Sequence, residues 1–159
     1  TIMIYIFDNG PIIYTQSRTG RNGKKFIIYK FRSLPVNTKL LSSDSLPNIK
    51  TKFIGKFLRR TNIDELPQII NILKGDMSFV GPRPPLPTQL ELIDLRYQNN
   101  SISCYPGLTG LAQIRGYDGM SVPEKAKFDD IYYKNISFMQ DFIIIISTIF
   151  YLLKKPPKY

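Results

Sequence analysis

The 159-residue chain has no histidine, no tryptophan and a single cysteine, Cys104. Each absence closes a class of chemistry. Without histidine, the usual general base at neutral pH and the commonest transition-metal ligand are missing, so acid, base and metal work falls to aspartate and glutamate. One cysteine excludes an intramolecular disulfide and a cysteine-based zinc cluster, and it fits a reducing compartment. Long apolar runs are also missing. The longest, Phe142 to Leu153, is interrupted by Ser147-Thr148 and ends in Lys154-Lys155; it is about half of the ~20 residues that a membrane-spanning helix needs. It reads equally well as a buried core helix or as one lying in a membrane interface. Negative charge is scarce too, with 12 acidic against 22 basic side chains and a net charge of +10. Nucleic acid, anionic lipid and nucleotide diphosphates are the partner classes that such a balance suits.

What is present fits one domain. A chain of 159 residues that is 43% hydrophobic can bury a core, and no internal repeat or low-complexity tract suggests a second unit. The apolar opening, Thr1 to Phe7, breaks at Asp8-Asn9-Gly10-Pro11 as a turn would. Ile12 to Thr15 and Phe26 to Phe31 are rich in β-branched and aromatic residues and flank Asn22-Gly23, which predicts a hairpin. Lys24, Lys25, Lys30 and Arg32 make that hairpin basic, either as a solvated face or as a contact for phosphate or lipid head groups. Residues 34–50 are polar and broken by prolines, which predicts a loop. Helices are predicted over 52–60, 65–73, 88–98, 123–135 and 138–155, with strand and loop over 107–119. The expected fold is α+β: a single helix-rich domain with a small N-terminal β-hairpin and interfacial amphipathic helices.

Adjacent carboxylates, Asp64 and Glu65, stand behind Arg59-Arg60 and ahead of Arg83, which is held between prolines in Gly81-Pro82-Arg83-Pro84-Pro85. A carboxylate can attack phosphorus, a second can hold a divalent metal, and fixed guanidinium groups can neutralise charge on phosphate oxygens. Asn62 and Glu65 also make a passable capping box, so both acids could simply start a helix. Pro67 is tolerated only in a first turn, so either reading starts that helix close to Asp64. Without histidine, a hard oxygen-loving ion such as magnesium is the natural cofactor.

The wider pattern resembles the bacterial sugar transferase family, the monotopic polyprenol-phosphate phosphoglycosyl transferases. The resemblance rests on ordered pieces: Pro11-Ile12-Ile13-Tyr14-Thr15-Gln16, Gly20-Arg21-Asn22-Gly23-Lys24, Ile28-Tyr29-Lys30-Phe31-Arg32-Ser33, the acid pair, residues 71–84, Pro106-Gly107-Leu108-Thr109-Gly110-Leu111-Ala112-Gln113, and Asp129 with Tyr132, Asn135 and Ser137. It implies that residues 1–9 are the remnant of an N-terminal membrane helix and that 10–159 form the catalytic domain, with most of the anchor cut away. It implies that Asp64 attacks the β-phosphate of a UDP-sugar and releases UMP, and that polyprenol (undecaprenyl) phosphate then takes the sugar phosphate from the aspartyl intermediate. By the same resemblance Glu65 would bind Mg2+, Arg59 and Arg83 would contact phosphate, and Asp129, Tyr132, Gln113, Lys30 and Arg32 are candidates for a wider site. The implied setting is the cytoplasmic face of the bacterial inner membrane. There the partners would be an anionic membrane surface and other glycan-pathway glycosyltransferases, with no nucleic acid, and the product would serve exopolysaccharide, lipopolysaccharide or related glycans. Two positions depart from the family pattern: Leu111 where a Trp is common, and Arg115-Gly116-Tyr117 where many members read Asn-Gly-Arg. These bear on the sugar and the acceptor, not on the reaction type. The rival from another class is a basic module that binds nucleic acid or anionic membranes without catalysis, since +10 with ten Tyr and ten Phe supplies phosphate contacts and stacking platforms.

Overall fold

The computed structural model of the protein describes residues 11–35 and 53–154, without the side chains of residues 53, 54, 56, 118, 153 and 154. The expected membrane-helix remnant at 1–9 and most of the expected loop at 34–50 lie outside the described residues. Within them the fold is mixed and mainly helical, with the predicted N-terminal hairpin.

Strands β1 (Ile13–Thr19) and β2 (Lys25–Phe31) pair antiparallel from Ile13↔Phe31 to Thr19↔Lys25. Their connection puts Asn22 at φ 54° and Gly23 at φ 77°, a left-handed pair that Asn-Gly accommodates with little strain. β1 runs four residues beyond the expected Thr15. Its polar end is held from outside the hairpin, where the Thr19 amide donates to the Pro85 carbonyl at 3.0 Å. Alternation along β2 turns Phe26 and Ile28 inward against Met77 and Ile72, while Ile27 faces out.

Helix α1 (Phe53–Arg60) leads into a 3-10 turn, Ile63–Gln68, which continues as α2 (Ile69–Leu73). A Cβ on Gly55 would overlap the Ser33 carbonyl. Only glycine therefore lets α1 approach the end of β2 this closely. Asn71 is the rivet between α2 and the hairpin. Fully buried, it donates from Nδ2 to the Ile27 carbonyl at 2.7 Å and accepts from the Tyr29 amide at 3.2 Å. Its own carbonyl accepts from Asp76 and Met77. Replacing Asn71 by Ala strands two buried backbone groups of β2, so a loss of about 2–3 kcal/mol in unfolding free energy is expected in urea titration.

The remainder forms a second core. Short strands β3 (Ser78–Val80) and β4 (Gly107–Thr109) pair in parallel, and α3 (Leu90–Gln98) lies between them in sequence. After β4 come α4 (Leu111–Ile114), a 3-10 turn at Tyr117–Gly119, α5 (Val122–Lys134) and α6 (Phe138–Lys154). The strand and loop expected over 107–119 are thus corrected: only Gly107–Thr109 is strand, and Leu-Ala-Gln-Ile, all competent helix formers, coil after the extended Gly110. A full capping box starts α5, with Ser121 and Glu124 exchanging backbone and side-chain bonds. Val80, Tyr132 and Ile144 meet in the core, and Thr109 Oγ1 lies 2.7 Å from Thr148 Oγ1, tying α6 to β4.

Several apolar side chains face outward. On α6 these include Phe138, Phe142, Ile143 and Phe150, while Ile144 turns inward. Leu66, Ile69, Ile70 and Leu73 also share an exposed face. Among the described residues no helix is long and apolar enough to cross a membrane.

Candidate active site

The acid pair sits on the 3-10 turn, against β2 and below the end of α1. Asn62 adopts a left-handed φ of 52° and its side chain makes no capping bond, so the expected capping box does not form. The tertiary partner wins over the local one: Glu65 Oε1 accepts from Lys30 Nζ at 2.7 Å and from Arg83 Nη2 at 3.2 Å. Burial alone would raise the Glu65 carboxyl, but the charges and hydrogen bonds of Lys30 and Arg83 overcome it and hold the group at about 2. Glu65 is therefore an anion at neutral pH, and Lys30 is a largely buried ammonium that burial pushes downward.

Asp64 is in a different state although it is the next residue. Burial, and then the negative charge of Glu65, push its carboxyl up to about 6, against the pull of Lys30, Arg59 and Arg83. Its Oδ2 receives a long bond from Ser33 Oγ at 3.4 Å, and its buried Oδ1 has no hydrogen-bond partner. An unsatisfied, desolvated carboxylate oxygen is costly to keep. It is also the form of carboxylate with the most lone-pair density available for attack on an electrophile.

Arg83 enters from the proline-rich segment after β3. Its guanidinium reaches Glu65 on one side and lies 5.9 Å from the centroid of the Tyr117 ring, whose centroid is also 4.3 Å from Lys125 Nζ. The prolines offer no amides to a ladder, so their carbonyls must find donors elsewhere. Four consecutive carbonyls do so: Pro82 accepts from the Gly107 amide at 2.9 Å, Arg83 from Arg96 Nη2 at 3.1 Å, Pro84 from Arg18 Nη1 at 3.1 Å and Pro85 from the Thr19 amide at 3.0 Å.

Of the residues singled out from sequence, Asp64, Glu65, Arg83 and Lys30 come together, with Arg59 near enough to stabilise the Asp64 anion. Arg32 is buried at the end of β2, its amide bonded to the Ile12 carbonyl. Asp129 is linked to the site through Arg96, with Oδ2 at 2.8 Å from Arg96 Nε and 2.7 Å from Nη2. Tyr132 belongs to the second core, where its hydroxyl lies 2.9 Å from Asp141 Oδ1 and 3.3 Å from the Val80 carbonyl. Gln113 packs beside Gly110 with its Nε2 at 3.5 Å from the Leu108 carbonyl and its Oε1 buried without a partner. Sequence reasoning missed Arg18 and Arg96. Arg18 is lowered to about 10 by burial and then by the charge of Arg83. In the sequence it is one more cation in a basic hairpin, and Arg96 is one more arginine near a helix end.

Among the described residues no group of three or more acids could cage a metal ion. The donor chemistry instead fits a magnesium ion that shares one carboxylate with substrate phosphates and water, the usual habit of that ion. Glu65 would be its protein ligand, in exchange with the cations now on Oε1.

The family described as "Bacterial sugar transferase" matches residues 1–155. The undecaprenyl-phosphate galactose phosphotransferase of Salmonella typhimurium is 37% identical over 99% of this chain and 38% of its own length. The UDP-glucose:undecaprenyl-phosphate glucose-1-phosphate transferase of Escherichia coli is 38% identical over 89% of this chain and 32% of its own. The exopolysaccharide production protein ExoY of Sinorhizobium fredii is 34% identical over 92% of this chain and 72% of its own. The chain thus spans well under half the length of the first two of these relatives.

Proposed function

The chain belongs to the bacterial sugar transferase family, and on that premise we propose that it transfers a sugar 1-phosphate from a UDP-sugar to undecaprenyl phosphate, releasing UMP, through a covalent intermediate on Asp64. The observation that carries this reading is the contrast between two neighbouring acids: Glu65 fixed as an anion by Lys30 and Arg83, and Asp64 buried, raised to about 6 and unpartnered at Oδ1.

In the first step a carboxylate oxygen of Asp64 bonds to the β-phosphorus as the bond from that phosphorus to the bridging oxygen breaks, and UMP leaves with the electron pair. In the second, a phosphate oxygen of the lipid acceptor attacks the same phosphorus and the aspartyl bond breaks, restoring the carboxylate. Arg83 and Lys30, both on Glu65 beside Asp64, would supply positive charge to the phosphoryl oxygens, and Arg59 adds to the positive field at Asp64. Magnesium, when bound with the donor, would lower the repulsion between the diphosphate and the two carboxylates.

A lipid acceptor must approach from an apolar surface. Leu66, Ile69, Ile70 and Leu73, on the turn and helix that follow Asp64, are exposed, which supports an approach from the membrane on this side. The reading places the domain on the cytoplasmic face of the bacterial inner membrane, where nucleotide sugars are found, at the step that commits a sugar to its lipid carrier for exopolysaccharide, lipopolysaccharide or related glycans.

The test is UMP release from a panel of UDP-sugars with magnesium and undecaprenyl phosphate in detergent. Release from a preferred donor supports the reading; none from any donor overturns it. The pH profile follows from Asp64. Because its folded value is raised to about 6, the nucleophile is ionised above that pH and protonated below it. UMP release in a single turnover is therefore expected to be flat above about pH 7 and to fall about tenfold per unit below pH 6.

A further inference from the structure

The ion pair between Arg96 and Asp129 is buried, with the two side chains 3% and 2% exposed. Such a pair is weak evidence of stability, because desolvating both charges costs about as much as their attraction returns. What sets this pair apart is where the other hydrogen bond of Arg96 goes. Nη2 also donates to the carbonyl of Arg83, in the middle of the four carbonyls whose donors come from β4, α3 and the end of β1. Pro82 and Pro84 already limit the backbone on either side, and Arg96 holds the one unit between them, that of Arg83 itself. Asp129 Oδ2 accepts from Arg96 Nε at 2.8 Å and lies 2.7 Å from Nη2, so the ion pair holds that edge of the guanidinium in place.

We infer that Arg96, oriented by Asp129, is a positioning residue for Arg83: it sets the backbone from which Arg83 reaches Glu65 and the donor phosphate. The inference rests on the transferase reading. It explains how an acid on α5 contributes to a centre that it does not touch. It also assigns a role to Arg96, whose side-chain hydrogen bonds go to Asp129 and to the Arg83 carbonyl rather than to the acid pair.

The test is a double-mutant cycle on kcat/KM for UMP release. Arg96→Lys keeps the charge against Asp129 but lacks the guanidinium that reaches Asp129 from Nε and the Arg83 carbonyl from Nη2. Arg96→Met with Asp129→Leu removes the pair as a unit, the replacement least prone to unfold the core. Each is expected to lower kcat/KM about 10- to 30-fold where Arg83 is present and less than twofold where Arg83 is already Ala. Thermal melting, read in parallel, should not track the loss: the apolar pair is expected to melt within a few degrees of wild type while remaining impaired. Equal losses in both backgrounds would overturn the inference and leave the ion pair a structural one. An inactive wild type would overturn the transferase reading instead, so the two failures are distinguishable.

Discussion

Asp64→Asn is expected to lower UMP release about 10⁴-fold or more and, at the same time, to raise the melting temperature. The first effect is the removal of a nucleophile. The second follows from linkage. In the fold the Asp64 carboxyl sits at about 6, above its ordinary 3.8, so the folded state binds the proton more tightly than the unfolded one. Folding is then unpenalised by this group below about pH 4, loses stability as pH rises between about 4 and 6, and carries the full penalty above that. At pH 7.5 the penalty is of the order of 1–3 kcal/mol, and the neutral amide relieves it. Thermal melts of wild type and variant should therefore converge at pH 4 and separate by several degrees at pH 7.5. A residue that served only as a helix start would give a variant less stable at neutral pH, with its activity intact.

Glu65→Gln should act in the opposite direction on stability. Glu65 is the common counter-ion of Lys30 and Arg83. Making it neutral leaves two partly buried cations without it, a change that costs about 3–5 kcal/mol in comparable buried pairs. The loss in kcat/KM is expected at about 10²- to 10³-fold, because Arg83 loses the partner that aims it. Two accompanying readouts separate this role from metal binding alone. Glu65 helps to push the Asp64 carboxyl up, so its neutralisation should move the acid limb of the pH profile below 6. Raising magnesium tenfold should not restore the rate. Rescue by magnesium, with stability and pH profile unchanged, would reduce Glu65 to a metal ligand.

The cluster of charged groups at the candidate site was legible in the sequence to the extent that it is local. Asp64, Glu65 and Arg83 stand in a short, ordered pattern, and Asn22-Gly23 announced the hairpin that carries Lys30. What pairs with what was not legible. The Asn62 to Glu65 spacing suits a capping box, yet the carboxylate goes to Lys30, 35 residues upstream, because a buried ammonium is a stronger attraction than an amide at a helix end. Arg96 and Asp129 are 33 residues apart on separate helices, and no periodicity links them. The acids at 64 and 129 look alike in a sequence. Their surroundings give one a guanidinium and leave the other an oxygen with no partner.

The central claim is that Asp64 carries the phosphosugar between donor and acceptor. The direct measurement is peptide mass spectrometry of the protein, quenched after incubation with its preferred UDP-sugar and magnesium in the absence of undecaprenyl phosphate. One phosphosugar per chain is expected on the peptide containing Asp64, formed together with one equivalent of UMP and discharged when the lipid acceptor is added. Full turnover with acceptor, but no adduct without it and none trapped during the reaction, would contradict the account and point to direct transfer between the two substrates.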